Sequence, residues 1–565
     1  MRKIFLIFFV VAFANSDVLN KILQTQIKQE EDRLKALQTN KNKANIIFDT
    51  QENESKTILN NEKPCFNIDK IVLINNDNKF KKELNKALNK VKFKPNSCLG
   101  EKNIAIIYET LSNEIISSGY ITTSVFIPQQ NLKRGVLEFE ILQGKIDKIT
   151  INDTNSTKNR ASEFMAFGGN KNSDILNIRD VEQAVENIQN ATNGSVSVEL
   201  IPSDKSNFSD INITKNEKLP LSLWLSFDNL GSNATGKYQA NANLYAYNLM
   251  GFNEIFYASY SANLFSGDKQ SIENESKIGR YDNVYYGASV PFGRFLLDFN
   301  EYRYSYDLAV AGAYSVYKYS GESKRRNLTL SYLYHRNQIS KNSMFFRLWE
   351  RENKNYIDEF ELDNQRRKTA GYEIGLDSQL FIENGLVAIG ASYKKATGAM
   401  GSLKAPEEEY GEWTSRFEII SAYLNFRKQS HIKPLTYDFK FSGMWNLTPL
   451  TMHEKLNLGG YYSVRGFDGK MSIAGDKGYY ARNTLEYQIF NNHSIYTAFD
   501  VGKVSKRSND SSSNNILIGS GIGLKGGFNV YGALSYDLFF GFPIKKPDFF
   551  KTSDISTNFT ISYHF

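Results

Sequence analysis

The stretch LGGYYSVRGFDGK, residues 458–470, sets Arg465 among glycines and aromatic residues. The flanking sequence reads as membrane-spanning β-structure, where a guanidinium is costly unless it faces a lumen and finds a carboxylate. One carboxylate has a fitting context. Asp500 lies in the strand-like SIYTAFDVGKV (494–504), ahead of the glycine-rich GSGIGLKGG (519–527). A hairpin tip folded back into the lumen would let Arg465 and Asp500 form a charge-assisted, even bidentate, bond that fixes the tip while leaving it releasable. Gly459, Gly460 and Gly466 supply the backbone freedom of such a tip. On local sequence alone, an arginine in an ordinary outer loop is the other reading. Catalytic chemistry has little to stand on. The five histidines, His335, His431, His453, His493 and His564, show no metal-ligand spacing, and GSGIG has no helix after it to make a nucleotide loop. No enzyme activity, metal or cofactor is expected.

The elements that must position Arg465 follow residue 220, where alternation with period two dominates. In LSLWLSFD (221–228), Leu221, Leu223, Leu225 and Phe227 point one way, against Ser222, Trp224, Ser226 and Asp228. TYDFKFSGMWN (436–446) sets Tyr437, Phe439, Phe441 and Trp445 against Asp438, Lys440, Ser442 and Asn446. The chain ends FTISYHF, with Phe559, Ile561, Tyr563 and Phe565 on one face. Apolar-out, polar-in strands of about ten residues, rich in aromatic residues, are the signature of an outer-membrane barrel. A soluble β-sandwich shares the alternation but would not sustain it over so long a stretch behind a secretory signal. Connections alternate short (NLMGFNE, 248–254) and long (265–283), and the length accommodates roughly 14–18 strands.

The N-terminal part is of another kind. MRKIFLIFFVVAFANS reads as a signal peptide over residues 1–16, its apolar run too short to span a bilayer. Residues 17–40 form a strongly helical, Gly- and Pro-free segment with a narrow apolar stripe, which must dock elsewhere or stay solvated. A polar linker, 41–64, follows. Two compact α/β units come next, over 65–143 and 144–218, each reading strand, helix, helix, strand, strand. In the first, FNIDKIVLI (66–74) and YITTSVFIP (120–128) read as strands, and PQQNLKR as a hairpin-like connection to GVLEFEIL. In the second, Asn177 is placed as N-cap of LNIRDVEQAVENIQNA. Cys65 and Cys98 are the sole cysteines, and in an exported chain one disulfide is expected, two unpaired thiols being the alternative. The net charge of +7 is diffuse, so nucleic acid is not implied.

Several motifs carry a resemblance. SVRGF resembles the lumenal-loop motif of outer-membrane transporters related to the barrel-assembly factor. SSGYITTSVFIPQQNLKRGVLEFEILQGKIDKI (117–149), LNIRDVEQAVENIQNA and DNLGSNATGKYQANANLYAYNLMGFNE (228–254) narrow it to the two-partner secretion transporters, the haemolysin secretion/activation family. Cys65 and Cys98 match that family's cysteine pair, and Phe467 stands where many members carry tyrosine. The resemblance implies α+β periplasmic POTRA domains followed by a transmembrane antiparallel β-barrel of about 16 strands, with residues 17–40 as an N-terminal plug helix. It implies the lumenal-loop motif Val464, Arg465, Gly466 and Phe467 in a loop around 458–475, with Asp500 as lock partner. The implied partner is one large secreted exoprotein, unfolded in transit, exported by a monomer in outer-membrane lipid of a Gram-negative bacterium. Strand addition to YITTSVFIP and its turn, through Tyr120, Val125, Ile127, Pro128, Gln129 and Gln130, is the candidate mode of client capture; completing the small sheet is the alternative role. A barrel-assembly insertase of the same superfamily is the runner-up.

Overall fold

The computed structural model describes residue 59 and residues 62–74, 79–152, 156–231, 235–265, 279–311, 316–411, 413–431, 434–505 and 515–565. The expected signal peptide, the plug helix and most of the 41–64 linker lie outside the described residues.

The first α/β unit runs β1 (Phe66–Ile68), β2 (Lys70–Ile74), α1 (Lys81–Lys90), β3 (Ser97–Leu99), α2 (Glu101–Ser117), β4 (Ser124–Phe126) and β5 (Val136–Leu142). The second runs β6 (Lys145–Ile151), α3 (Thr157–Phe167), α4 (Ile178–Asn190), β7 (Gly194–Pro202) and β8 (Phe208–Glu217). The sheet orders β2-β5-β4 and β6-β8-β7 match, each with a parallel pair followed by an antiparallel one. Helical periodicity explains both cores. Ile107, Leu111 and Ile115 of α2 and Ile178, Val181, Val185 and Ile188 of α4 are all buried on their sheets. The side chain of Asn177 caps α4 by accepting from the Arg179 N–H at 2.9 Å, and Gly168, in the left-handed region at φ 73°, ends α3.

Two strand expectations need correction. FNIDKIVLI is not one strand. The N–H groups of Asp69 and Lys70 both donate to the Gly135 carbonyl, at 2.7 and 3.2 Å. The chain therefore bends at Asp69, β1 leaves the main sheet, and it pairs with β3. YITTSVFIP contributes only Ser124–Phe126, because Tyr120 N–H still bonds Ile115 O and Thr123 N–H bonds Tyr120 O, closing the end of α2. PQQNLKR does join an antiparallel pair, β4 and β5, as a hairpin-like connection, and it carries a 3₁₀ turn, Leu132–Arg134.

A closed antiparallel barrel of sixteen strands follows, from Leu221–Asp228 to Ser556–His564. Neighbours in sequence pair in order, and the last strand closes on the first through Ile561↔Phe227 and Tyr563↔Leu225. Closure leaves no unpaired edge in the bilayer. The alternation works as the pattern dictates: Leu225, Tyr437, Trp445 and Ile561 are exposed on the outside, while Ser222 and Asp228 are buried inside. Periplasmic turns are short (293–294, 337–339, 383–384) and outer loops longer (398–417, 447–476). The first long outer loop ends at Gly279 rather than 283, since Arg280 already pairs with Asp307.

The second α/β unit is seated on the periplasmic turns. Gly168 and Gly293 approach so closely that a Cβ on either would lie 3.0 Å from the other's Cα. Asn187 donates to Gly293 O at 2.8 Å. Arg336 of the barrel bridges Glu182 and Glu186 of α4 at 3.2 and 2.6 Å, all three side chains being buried. This contact holds the periplasmic arm against the barrel mouth.

Candidate functional site: a lumenal loop locked to the barrel wall

The loop between strands Leu435–Asn446 and Lys477–Phe490 turns inward instead of outward. Its two arms form a short ribbon, Leu456–Leu458 against Ile473–Gly475. Gly459, Gly460 and Gly466, with φ of 119°, 138° and 107°, adopt backbone that side-chain-bearing residues avoid. The tip so formed carries Arg465 to the wall strand His493–Ser505, where Asp500 is fully buried. Arg465 Nε and Nη2 donate to the two Asp500 oxygens at 2.7 and 2.8 Å, and the Arg465 backbone N–H donates to the same carboxylate at 2.9 Å. Nη2 also reaches the Asn483 carbonyl at 3.0 Å, and Asn483 N–H donates to Asp500 at 3.2 Å. Both charges are desolvated and every Asp500 oxygen is bonded, the condition under which a buried pair holds rather than destabilises.

The tip needs a flat seat, and glycines provide it. A Cβ at Gly519 would stand 1.9 Å from Arg465 O, one at Gly541 2.7 Å from Gly466 Cα, and one at Gly502 2.7 Å from a Val464 methyl. Val464 and Phe467 are buried with Leu458, Ile473, Val504, Leu517 and Phe550. Phe467 meets Phe550 edge-to-face at 5.4 Å, and Asp468 accepts from Ser553 N–H and Oγ at 3.0 and 2.8 Å. The outer loop 546–555 therefore covers the tip. The base of the loop is held on a different part of the wall. Glu454 accepts from Lys394 at 2.8 Å and Arg351 at 3.3 Å, and Lys394 lies 4.3 Å from the Trp349 ring centroid.

Sequence reasoning named Arg465 and Asp500 but missed Gly502, Gly519, Gly541, Phe550, Ser553 and Glu454. A signal existed for one of them: glycines at alternate positions of GSGIG leave one strand face bare.

The six residues of the candidate capture strand do not share one surface. Tyr120 packs edge-to-face on Phe80 at 5.0 Å and Val125 is in the core. Gln130 is engaged with β5, its amide donating to Glu138 O at 2.9 Å and accepting from Glu138 N–H at 2.7 Å. Ile127 and Gln129 are exposed and Pro128 is half-buried. β4 stands at the edge of its sheet, bonded to β5 alone among the described strands. Cys65 and Cys98 form a disulfide, Cα to Cα 5.3 Å. Beside it, Glu62 accepts from the N–H groups of Gly100, Lys102 and Asn103 at the start of α2. Desolvation opposes ionisation there, but the three donors prevail and hold the carboxyl below its usual range.

Two POTRA-like units on an outer-membrane barrel, with an arginine-tipped loop inside it, define a transporter of the two-partner secretion class. Residues 207–526 match the haemolysin secretion/activation protein ShlB/FhaC/HecB family, residues 66–144 a ShlB-type POTRA domain and residues 145–202 a POTRA domain. The chain belongs to that haemolysin secretion/activation family. It is 27% identical over 537 residues to the outer membrane transporter CdiB-2 of Burkholderia pseudomallei, covering 92% of this chain and 90% of the relative. It is 24% identical to the hemolysin transporter protein HpmB of Proteus mirabilis, covering 79% and 76%. Solved structures of CdiB from Escherichia coli and from Acinetobacter baumannii share the fold. Their TM-scores are 0.81 and 0.83 at 23% and 22% identity, over 97% of this chain and 98% and 99% of theirs. The protein resides in the outer membrane with its POTRA domains in the periplasm.

Proposed function

We propose that the chain exports one large exoprotein, captured unfolded by the POTRA domains, and that the Arg465–Asp500 pair is a releasable lock on the lumenal loop. The observation that carries this reading is the pair itself: a bidentate, buried ion pair joining a glycine-hinged loop to the wall. Such a bond fixes a loop firmly yet can be exchanged for water once the lumen opens. Export follows the sequence of events that the elements permit. The client's unsatisfied backbone adds to the β4 edge, where Phe126 and Ile127 are exposed beside it. Residues 17–40 leave the lumen as a plug. The chain threads through, and its folding outside buries apolar surface, which makes return unfavourable. Relatives named as outer membrane transporters and a hemolysin transporter support an exoprotein of that kind as the client. The transporter acts as a monomer, its single barrel enclosing the whole path.

The test is a comparison of secreted and outer-membrane proteins with and without this chain. Loss of one large secreted protein, with other barrels unchanged, is expected. Depletion of many barrels would replace the export reading with a barrel-insertion one.

A further inference from the structure

The outer face of the barrel is not uniform. On strand Ala533–Lys545 the outward residues Leu538, Phe540, Phe542 and Ile544 are apolar up to its outer end. On the neighbouring strands Phe295–Ala311, Val316–Arg336 and Ser340–Ile357 the apolar row Phe299, Leu328 and Leu348 gives way abruptly to charge. Directly above it Glu301, Arg326 and Glu350 are cross-strand neighbours, and Lys324 is paired with Arg303. Arg326 stands on its strand about ten residues above the periplasmic turn. At ~3.4 Å per residue and a tilt near 40°, that is roughly 25 Å, the height of the apolar band. On these strands the apolar row Phe299, Leu328 and Leu348 is followed directly by the charged row, so the cluster stands at the outer edge of the apolar band and points out of the barrel.

Its construction favours an anion. Glu301 is 4% exposed and lies beneath three cations: Arg303, Arg326 at 2.7 Å and Lys324 at 3.5 Å. Those side chains keep 56%, 45% and 33% of their surface open. Lys368 joins from the next strand, 3.3 Å from Glu350, which also takes Arg326 at 3.3 Å. Glu352, the cross-strand neighbour of both Lys324 and Lys368, and its partner Lys354 complete the cluster, so five cations meet three carboxylates, and the best buried carboxylate, Glu301, gathers positive heads pointing outward. Tyr286, whose ring Arg303 overlies at 6.0 Å, borders the cluster at the interfacial level where aromatic residues settle. Planar guanidiniums at a membrane surface match phosphate geometry.

We infer that this patch binds the phosphate groups of a phosphorylated glycolipid of the outer leaflet, so that one side of the barrel, strands 295–357, is tethered to its lipid. The probe is bisphosphorylated lipid A added to the full-length protein in detergent with chelator present, and bound lipid is counted by native mass spectrometry. The double variant Arg303→Gln/Lys324→Gln leaves Arg326 to satisfy Glu301 and is expected to weaken binding at least ~10-fold, as is removal of the lipid phosphates. Lys395→Gln, on the outer face beside Glu418, is the matched control and should bind as the parent does. If heat-modifiable gel mobility shows that the double variant does not fold, Lys368→Gln alone should still weaken binding about threefold. Inorganic phosphate at millimolar concentration should fail to displace the lipid. Equal binding by the folded variant, equal loss in Lys395→Gln, or full displacement by free phosphate would each overturn the assignment.

Discussion

Replacing Asp500 by asparagine isolates the lock. The side chain keeps its volume but can no longer accept both guanidinium N–H groups, and its own NH₂ is turned against a cation. Arg465 would keep its bond to the Asn483 carbonyl and lose its counter-charge while still buried at 5% exposure. Arg482, whose Nε lies 4.0 Å from Asp500, would lose the same carboxylate and be left beside Arg465. Breaking one partner of a buried pair costs about 3–5 kcal/mol. At 1.4 kcal/mol per tenfold, the docked-to-released ratio of the loop should fall by roughly two to three and a half orders of magnitude. The barrel ladder does not depend on this side chain, so the strands should still close. Protease cleavage within 458–475 from the outside, read alongside heat-modifiable gel mobility and client export, measures release, assembly and function separately. We expect intact mobility, increased cleavage and reduced export. Arg465→Ala should behave alike, and the double variant should be no worse than either single one, because the pair acts as a unit. Fully additive losses, or normal export with a released loop, would refute the lock.

Other consequences are as direct. Gly519→Ala places a methyl 1.9 Å from Arg465 O and should undock the tip at a cost of about 1–3 kcal/mol, seen as the same cleavage without loss of the barrel band. Leu111→Ala opens a cavity in the first POTRA core and should destabilise that domain by about 2–5 kcal/mol, which pulse proteolysis of the full chain would report as faster degradation of residues 66–142. The carboxyl of Glu62 is held below its usual range by the α2 N–H groups. Its contribution is therefore complete above the unfolded pKa of about 4.3 and is lost as pH falls through the lower folded value. The protection factors of the Gly100, Lys102 and Asn103 amides, measured against their intrinsic exchange rates at each pH, should fall on acidification across that window, and Glu62→Ala should show the low protection already at neutral pH. Removing the Cys65–Cys98 bridge, which spans 33 residues, should lower the stability of the first POTRA unit by roughly 3–4 kcal/mol in denaturant titrations.

Much of this molecule is legible as a string because its dominant forces are periodic. Alternation told lumen from lipid in Leu221–Asp228 without knowledge of any neighbour, since a strand has only two faces and the bilayer rewards one of them. Helical spacing likewise picked out the buried faces of α2 and α4, and Asn177 declared itself as a cap. Where local hydrogen bonds compete, the pattern misled. Phe66–Ile74 looks like one strand, but the Gly135 carbonyl draws two N–H groups at Asp69, and the chain parts there. Residues 120–123 alternate like a strand and yet close a helix.

The ingredients of the site are local and readable along the chain: a fixed charge in a glycine-rich tip and a carboxylate in a wall strand. Their meeting is not local, because Arg465 and Asp500 are joined by the inward fold of a whole loop. That fold depends on what is absent, the side chains missing at Gly502, Gly519 and Gly541, and on a cover, Phe550 and Ser553, drawn from another loop. The same holds for the cation cluster around Glu301, which exists only because barrel register sets residues of four strands side by side. Periodicity is a property of neighbours along the chain, whereas complementarity of surfaces is a property of the closed barrel.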